Sequence, residues 1–256
     1  MLLCMDVGNT LINAGVYHQE QLVCHFQYST PLLGTADQFY IFLFQYLQTK
    51  NIAIDDITGV AMCSVVPSFE SILKQAFAVF NVDIFMLQAG VKTGLNIKYK
   101  HPQDVGADKI ANAIGAVQVF PNKNLIIVDM STATSICAIN KNKIYLGGTI
   151  LPGIQISMES LKNKAAKLIE VDIGKASSYL GANIKESIQA GLYYGQLGGI
   201  KEIVNGMQSQ VFNDEEIIII GTGSFSNLYT NETLFALHLP HLALDGLKIA
   251  YSYSVE

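Results

Sequence analysis

Two short acidic segments of the sequence carry side chains that could bind phosphate and a metal ion. In the first, Asp6 ends an apolar run and is followed by Gly8, Asn9 and Thr10. A glycine lets the backbone approach a ligand closely, and successive backbone N–H groups with a threonine hydroxyl can cradle phosphate oxygens. The carboxylate could hold hydrated Mg²⁺. An ordinary Asp-Gly hairpin has a similar pattern, so this segment alone leaves both interpretations open.

The second acidic segment repeats this arrangement in the middle of the chain. Asp129 ends an apolar run, and four hydroxyl side chains follow it: Ser131, Thr132, Thr134 and Ser135. A strand rich in serine and threonine is also ordinary. Two copies of the pattern are stronger evidence, because two phosphate-binding hairpins can face one nucleotide across a cleft.

Two glycine-containing segments could complete such a site. Gly221 and Gly223 follow an apolar run, and a glycine turn after a buried strand is a usual place for a nucleotide to approach, although such turns are often only structural. Asp108 and Lys109 could be a general base and a clamp for a substrate carboxylate. They could equally be a solvated pair on a helix surface.

Composition excludes several classes of protein. The net charge is −5, charged residues make up 14%, and no basic run occurs, which argues against nucleic-acid binding. The apolar runs are too short to span a membrane, and the first residues lack the basic start of a signal peptide, so we expect a cytoplasmic protein. The four cysteines are far apart and indicate buried reduced thiols. The motifs of P-loop, dinucleotide-binding, zincin and serine-hydrolase sites are absent.

The hydrophobic pattern predicts the elements that position these residues. Strand–turn–strand patterns begin at DVGNT and again at DMSTAT, and helices and further strands follow each one. This internal repeat predicts two similarly built α/β halves facing a cleft, although two acidic hairpins could also arise by chance. We place the domains at residues 1–115 and 116–256.

Five motifs, in order along the chain, resemble those of type III pantothenate kinases. They are DVGNT at Asp6, SVVP at Ser64, GLNIKYKHPQDVGADK at Gly94, DMSTAT at Asp129 and GGTILPG at Gly147. The third motif is the most specific, and the resemblance covers almost the whole chain. It implies an α/β fold of the actin-like ATPase superfold, with two ribonuclease-H-like domains and a nucleotide cleft between them. This agrees with the internal repeat.

The resemblance also implies an activity. It is the ATP-dependent phosphorylation of pantothenate to 4′-phosphopantothenate, the first step of coenzyme A biosynthesis. The implied cofactors are ATP, Mg²⁺ and a monovalent cation, either K⁺ or NH₄⁺. The implied protein is a cytoplasmic homodimer with the pantothenate pocket at or near the subunit interface, and with neither nucleic acid nor membrane as a partner.

Each matching position takes a role from the resemblance. Asp108 is the implied catalytic proton acceptor. The implied ATP- and phosphate-binding residues are Asp6, Gly8, Asn9, Thr10, Thr132, Thr134, Gly221 and Gly223. The implied pantothenate-binding residues are Tyr99, Gly106, Ala107, Asp108, Lys109 and Ile184. Asp129 is implied to bind the monovalent cation, and Asp6 to lie near Mg²⁺.

Four positions depart from the family pattern. Lys109 replaces an arginine and loses its bidentate fork. Ser131 and Ser224 replace glycines, so each adds a Cβ atom and a hydroxyl. Ile184 replaces a threonine that contacts pantothenate, and isoleucine cannot donate that hydrogen bond. Two alternatives therefore stay open, namely a non-catalytic binding or regulatory module and a kinase of another small alcohol.

Overall fold

The first sheet of the protein has five strands with helices packed against it. The computed structural model describes residues 1–32, 34–78, 82, 84–165 and 168–255. The strands are β1 (Leu2–Val7), β2 (Leu11–His18), β3 (Gln21–Ser29), β4 (Gly59–Ser64) and β5 (Ile84–Met86), in the order β3-β2-β1-β4-β5. The helices are α1 (Ala36–Thr49), α2 (Pro67–Ala78), α3 (Ala107–Val119) and α6 (Leu242–Val255).

Alternation along β1 divides its side chains between two faces of this sheet. Leu3, Met5 and Val7 belong to the core that α1 and α2 form with the sheet. Since successive side chains of a strand point to opposite faces, Cys4 and Asp6 lie on the other face. Helix α6 packs against β1, β2 and β4.

The second sheet has six strands. They are β6 (Asn96–Ile97), β7 (Asn124–Met130), β8 (Ala133–Ile139), β9 (Ile144–Pro152), β10 (Ile217–Thr222) and β11 (Leu237–His238), in the order β11-β10-β7-β8-β9-β6. Its helices are α4 (Ile154–Lys164) and α5 (Ile184–Phe212). The apolar face of α5 packs in one core with β7 and β8, where Tyr193, Leu197 and Ile200 are buried.

The two sheets share one topology. Strands β9-β8-β7-β10-β11 repeat the order of β3-β2-β1-β4-β5, with the first three strands antiparallel and the last two parallel to the central strand in both. Asp6 and Asp129 are each the second-last residue of the central strand. The predicted repeat of two similarly built α/β halves is therefore confirmed.

Proximity of Cα atoms divides the chain into two compact units. The first contains residues 1–95 and 100–118 and the chain from Leu242 onward, and the second contains residues 96–99 and 119–241. The predicted domains, 1–115 and 116–256, differ from this division mainly at the end of the chain. Helix α6 is grouped with the first unit because it packs on that unit's sheet.

The contact between α3 and α6 depends on two glycines. A Cβ atom on Gly246 would collide with the carbonyl oxygen of Ala111, and one on Gly115 would lie 2.6 Å from the carbonyl oxygen of Leu242. Glycine at both positions lets the two helix backbones approach each other closely. This close contact anchors α3, whose first turn carries Asp108.

The cysteines and the helices bear on two predictions made from the composition. All four cysteines are buried and free, as predicted. Within the described ranges, no helix has the length and apolar character that crossing a membrane requires.

Candidate active site

Asp6 lies beside a buried thiol on the neighbouring strand. Cys63 is opposite Asp6 in the β1–β4 register, and its Sγ donates a hydrogen bond to Asp6 Oδ1 at 3.3 Å. Burial raises the pKa of the Cys63 thiol well above its ordinary value, and the charges of Asp6 and Asp108 raise it further. The thiol therefore stays protonated and serves as a hydrogen-bond donor. Because both carboxylates act on one thiol, Asp6 and Asp108 lie in the same region.

The start of α3 positions Asp108. The backbone N–H groups of Lys109 and Ile110 donate to the carbonyl oxygen of Gly106, which opens the helix. A Cβ atom on Gly106 would collide with Asp108 Oδ1, so glycine is what allows the carboxylate to lie back over the helix start. Lys109 Nζ donates to Asp108 Oδ2 at 3.1 Å, and each side chain keeps about a fifth of its surface exposed.

The turn between β1 and β2 presents two polar side chains at the surface. Asn9 and Thr10 are exposed, and the N–H of Gly8 donates to the carbonyl oxygen of Leu11 at 3.0 Å. Buried Thr30 holds the turn, because its Oγ1 donates to the carbonyl oxygen of Gly8 at 2.8 Å. Thr30 is a supporting residue that the sequence analysis missed.

In the second unit, Asp129 contacts a hydroxyl and a glycine turn. Ser131 Oγ donates to Asp129 Oδ1 at 2.5 Å. Gly223 follows β10 with φ +88°, and a Cβ atom there would lie 2.5 Å from Asp129 Oδ1 and 2.7 Å from the backbone nitrogen of Met130. Only glycine fits this position, because any other residue would be strained at this φ and its Cβ atom would collide with Asp129. The structure thus brings Asp129, Ser131 and Gly223 together.

Three other predicted ATP-binding residues lie in the second unit. Thr134 is buried, and its Oγ1 accepts a hydrogen bond from Gln196 Nε2 at 2.6 Å. Gly221 is buried against the ring of Phe235, 2.7 Å from where a Cβ atom would stand. Thr132 is only partly buried. A ligand role for these three residues stays a prediction.

Tyr99 lies beside the second sheet. Its ring makes an edge-to-face contact with Tyr145, and the side chain is 41% exposed. A Cβ atom on Gly147 would be in ordinary van der Waals contact with this ring, at 3.6 Å, and the φ of +133° is what favours glycine there. An exposed aromatic ring of this kind can take part in ligand binding.

Ile184 is the first residue of α5 and is half-exposed. Asn183 caps the helix by accepting a hydrogen bond from the N–H of Glu186 at 3.0 Å, while Glu186 accepts one from the N–H of Ala182 at 2.8 Å. Ile184 also lines an open depression of about 510 Å³ together with Leu168 and the 181–183 segment. The residue is therefore accessible to a small molecule.

The surroundings of Asp6 and Asp129 suit cations that take only some of their ligands from the protein. Among the residues that the structure describes, no cluster of three or more His, Cys, Asp or Glu side chains could hold a metal ion. Mg²⁺ in kinases is held through one or two carboxylates together with substrate phosphates, and Asp6 can supply such a ligand. At Asp129, a carboxylate and the Ser131 hydroxyl are hard oxygen donors of the kind that K⁺ accepts.

Comparison with known proteins decides the family. A family model described as type III pantothenate kinase matches residues 2–206. The chain belongs to the type III pantothenate kinase family. A protein of Legionella pneumophila (strain Paris) named type III pantothenate kinase is 45% identical over 251 residues, which are 98% of each chain. The resemblance found in the motifs of this kinase is therefore confirmed.

Solved structures support the fold of this pantothenate kinase. A Campylobacter jejuni protein described as a Baf family transcriptional activator matches with a TM-score of 0.62 at 18% identity, over 99% of this chain and 98% of that one. A Sinorhizobium meliloti protein described as a 2-dehydro-3-deoxygalactonokinase matches with a TM-score of 0.60 at 12% identity, over 100% and 98%. With the duplicated strand order, these matches confirm the predicted two-domain ribonuclease-H-like α/β fold.

Proposed function

We propose that this chain transfers the γ-phosphoryl group of ATP to the primary alcohol of pantothenate. The products are ADP and 4′-phosphopantothenate, as expected of the first step of coenzyme A biosynthesis. The observation that carries the proposal is the match of the type III pantothenate kinase family model to residues 2–206, a range that includes the carboxylates Asp6 and Asp108. One carboxylate can hold a metal ion while the other accepts a proton, and phosphoryl transfer to an alcohol requires both functions.

Asp108 is the proposed catalytic base. It accepts the hydroxyl proton of pantothenate as the alcohol oxygen bonds to the γ-phosphorus and the bond from that phosphorus to the β,γ-bridging oxygen breaks. Its partly exposed position at the start of α3 suits this role, since the carboxylate is reachable yet held in place. Asp6 would hold Mg²⁺, which would neutralise charge on the phosphates.

Backbone and hydroxyl groups are the proposed phosphate ligands. In the first unit they are those of Asn9 and Thr10, while Gly8 shapes the turn, since its N–H donates to Leu11 and its carbonyl oxygen accepts from Thr30. In the second unit they are those of Thr132 and Gly223. Because such ligands need no lysine or arginine, they fit a chain with only 16 basic residues.

Lys109 is the proposed ligand of the pantothenate carboxylate. Its ammonium group is a positive charge held beside the proposed base, 3.1 Å from Asp108 Oδ2, and a positive charge there favours binding of the substrate carboxylate. Lysine acts as a point charge where the family has the bidentate fork of arginine. Gly106, Ala107, Tyr99 and Ile184 are the other proposed pantothenate-binding residues.

A monovalent cation, K⁺ or NH₄⁺, is proposed at Asp129. The support is the pair of oxygen donors that Asp129 and Ser131 form. Ser131 replaces a glycine of the family, and its hydroxyl donates a hydrogen bond to Asp129. This contact favours a cation site that still functions over one that the serine blocks.

A cytoplasmic homodimer is the proposed state of the enzyme. Four large apolar side chains before and at the start of α5 are more than half-exposed: Ile169, Tyr179, Leu180 and Ile184. All four belong to the segment 169–184, and a second copy of the chain could cover them, since large exposed apolar patches mark interaction surfaces. The four free thiols agree with a reducing compartment.

A kinase assay tests the proposal. We expect purified protein with ATP, MgCl₂, KCl and pantothenate to form ADP and 4′-phosphopantothenate, detected by mass spectrometry. Removing the proton acceptor with Asp108→Asn is expected to lower kcat by about 10²- to 10⁴-fold. Asp104→Asn, which changes an exposed carboxylate just before α3, is the matched control and should keep the wild-type rate.

Three results would contradict the proposal in different ways. Equal rates for wild type and Asp108→Asn would remove the base. Binding of ATP and pantothenate without turnover would favour the non-catalytic alternative. Faster phosphorylation of another alcohol in a panel of acceptors would favour the altered-specificity alternative, which Ile184 motivates.

A further inference from the structure

A buried serine connects the Gly223 turn to an edge strand. Ser226 has no exposed surface, and its Oγ lies 2.6 Å from the carbonyl oxygen of Gly223 and 2.6 Å from His238 Nε2. His238 belongs to β11, the strand at the end of the second sheet. Neither Ser226 nor His238 belongs to the family motifs noted above.

The protons of this chain of hydrogen bonds can be assigned. A carbonyl oxygen only accepts, so the single hydroxyl proton of Ser226 goes to Gly223. His238 Nε2 must then carry a proton and donate it to Ser226 Oγ. Burial lowers the pKa of His238, so the imidazole is neutral near pH 7 with its proton on Nε2.

The remainder of the turn is held by backbone contacts. The N–H of Phe225 donates to the carbonyl oxygen of Met130 at 2.9 Å, and the N–H of Leu239 donates to that of Gly221 at 2.9 Å. His238 is opposite Gly221 in the β10–β11 register. The carbonyl oxygen of Gly223 accepts both the backbone N–H of Ser226, at 3.2 Å, and the Ser226 hydroxyl. The side-chain connection from His238 through Ser226 therefore adds to the backbone contact that holds the Gly223 peptide, which itself packs against Asp129.

We propose that His238 is a positioning residue for the nucleotide, and that it acts through Ser226 on the Gly223 turn. This inference rests on the proposed function, in which ATP approaches that turn. A positive-φ glycine has wide conformational freedom when it is not held. The hydrogen bonds of Ser226 and His238 keep its peptide in one orientation before ATP arrives. The conformational entropy of the turn is then already lost, so ATP binds more tightly.

Equilibrium binding of a non-hydrolysable ATP analogue tests this role directly. Calorimetry would measure the Kd of adenylyl-imidodiphosphate, with Mg²⁺ and K⁺ present, for the wild type and four variants. His238→Phe and Ser226→Ala remove the connection, and we expect each to raise Kd about 5- to 10-fold. His238→Gln keeps an N–H donor near the place of Nε2 and should stay within about 2-fold of wild type.

The control variant is His18→Phe, which changes an exposed histidine at the end of β2 and should leave Kd unchanged. Thermal unfolding of each variant separates packing from positioning. If His238→Phe does not fold, Ser226→Ala still tests the inference, because it removes a single oxygen atom. In kinase assays, the KM for ATP should rise while the KM for pantothenate stays within about 2-fold.

Specific results overturn the inference. It fails if His238→Phe and Ser226→Ala bind the analogue as tightly as wild type. If both variants also unfold at a lower temperature, the two side chains contribute to stability and not to nucleotide binding. It also fails if His238→Gln binds as weakly as His238→Phe. If the wild type binds the analogue but does not phosphorylate pantothenate, the proposed function is refuted. The positioning role is then supported only when His238→Phe and Ser226→Ala still bind the analogue more weakly.

Discussion

Replacing Gly223 with alanine would test the contact between the glycine turn and Asp129. At φ +88°, an alanine costs about 1–2 kcal/mol of backbone strain relative to glycine. Its Cβ atom would lie 2.5 Å from Asp129 Oδ1 and 2.6 Å from the carbonyl carbon of Met130, and at least one of these groups is backbone that cannot rotate away. Overpacking of this kind costs about 1–3 kcal/mol. We therefore expect Gly223→Ala to lower the free energy of unfolding by about 2–5 kcal/mol.

A glycine in open space provides the matched control. Gly191 lies in α5, and a Cβ atom there would meet nothing within 4 Å. Alanine is a better helix former than glycine by about 1 kcal/mol, so Gly191→Ala should keep or raise the stability. The same substitution is thus expected to act in opposite directions at two positions of one unit.

Thermal and urea unfolding, followed by circular dichroism, would measure the difference. For a chain of this size, 1 kcal/mol corresponds to about 2–4 °C, so Gly223→Ala should unfold about 4–20 °C below wild type. Its kinase activity should also fall, since the Cβ atom displaces Asp129. Wild-type stability and activity in Gly223→Ala would refute the placement of the turn against Asp129.

Three further predictions concern residues that depart from the family pattern or were missed in the sequence. Ser131→Gly removes the donor to Asp129 and should change the K⁺ concentration at half-maximal activity by about 3- to 10-fold; an unchanged value would separate Ser131 from the cation. Ile184→Thr should lower the KM for pantothenate, and an unchanged KM would place Ile184 outside the pocket. Cys63→Ala removes the donor to Asp6 and should lower kcat, whereas Cys63→Ser keeps a donor and should lower it less; equal losses in the two variants would count against a positioning role.

Periodicity predicts the long helices well and the short elements poorly. The spacing predicts a helix over 185–210, and α5 spans Ile184–Phe212. It also predicts a helix over roughly 103–120, but α3 begins only at Ala107, because Gly106 opens it after the short turn at Pro102–Asp104. The segment after Gly223 is predicted as a helix start and forms only the short 3₁₀ turn Ser226–Tyr229. A long apolar face averages over many residues, whereas a single turn depends on its neighbours.

The candidate site shows the same division between local and distant information. Asp6 and Asp129 could be chosen from the sequence because each ends an apolar run and each is part of a recognisable motif. Thr30 and Cys63 could not, since a threonine and a cysteine inside strand-like segments have no distinguishing local pattern. Their importance follows from what they contact, at separations of 22 and 57 residues along the chain.

The sequence by itself determined the family, the duplicated α/β design and the acidic residues at the strand ends. These features depend only on which residue types follow one another along the chain. Only the tertiary structure decided that Ser131 binds Asp129, that Gly223 must lack a side chain, and that His238 reaches Gly223 through Ser226. Strand register and the packing of turns bring these groups together, and both are set by the folded arrangement of distant segments.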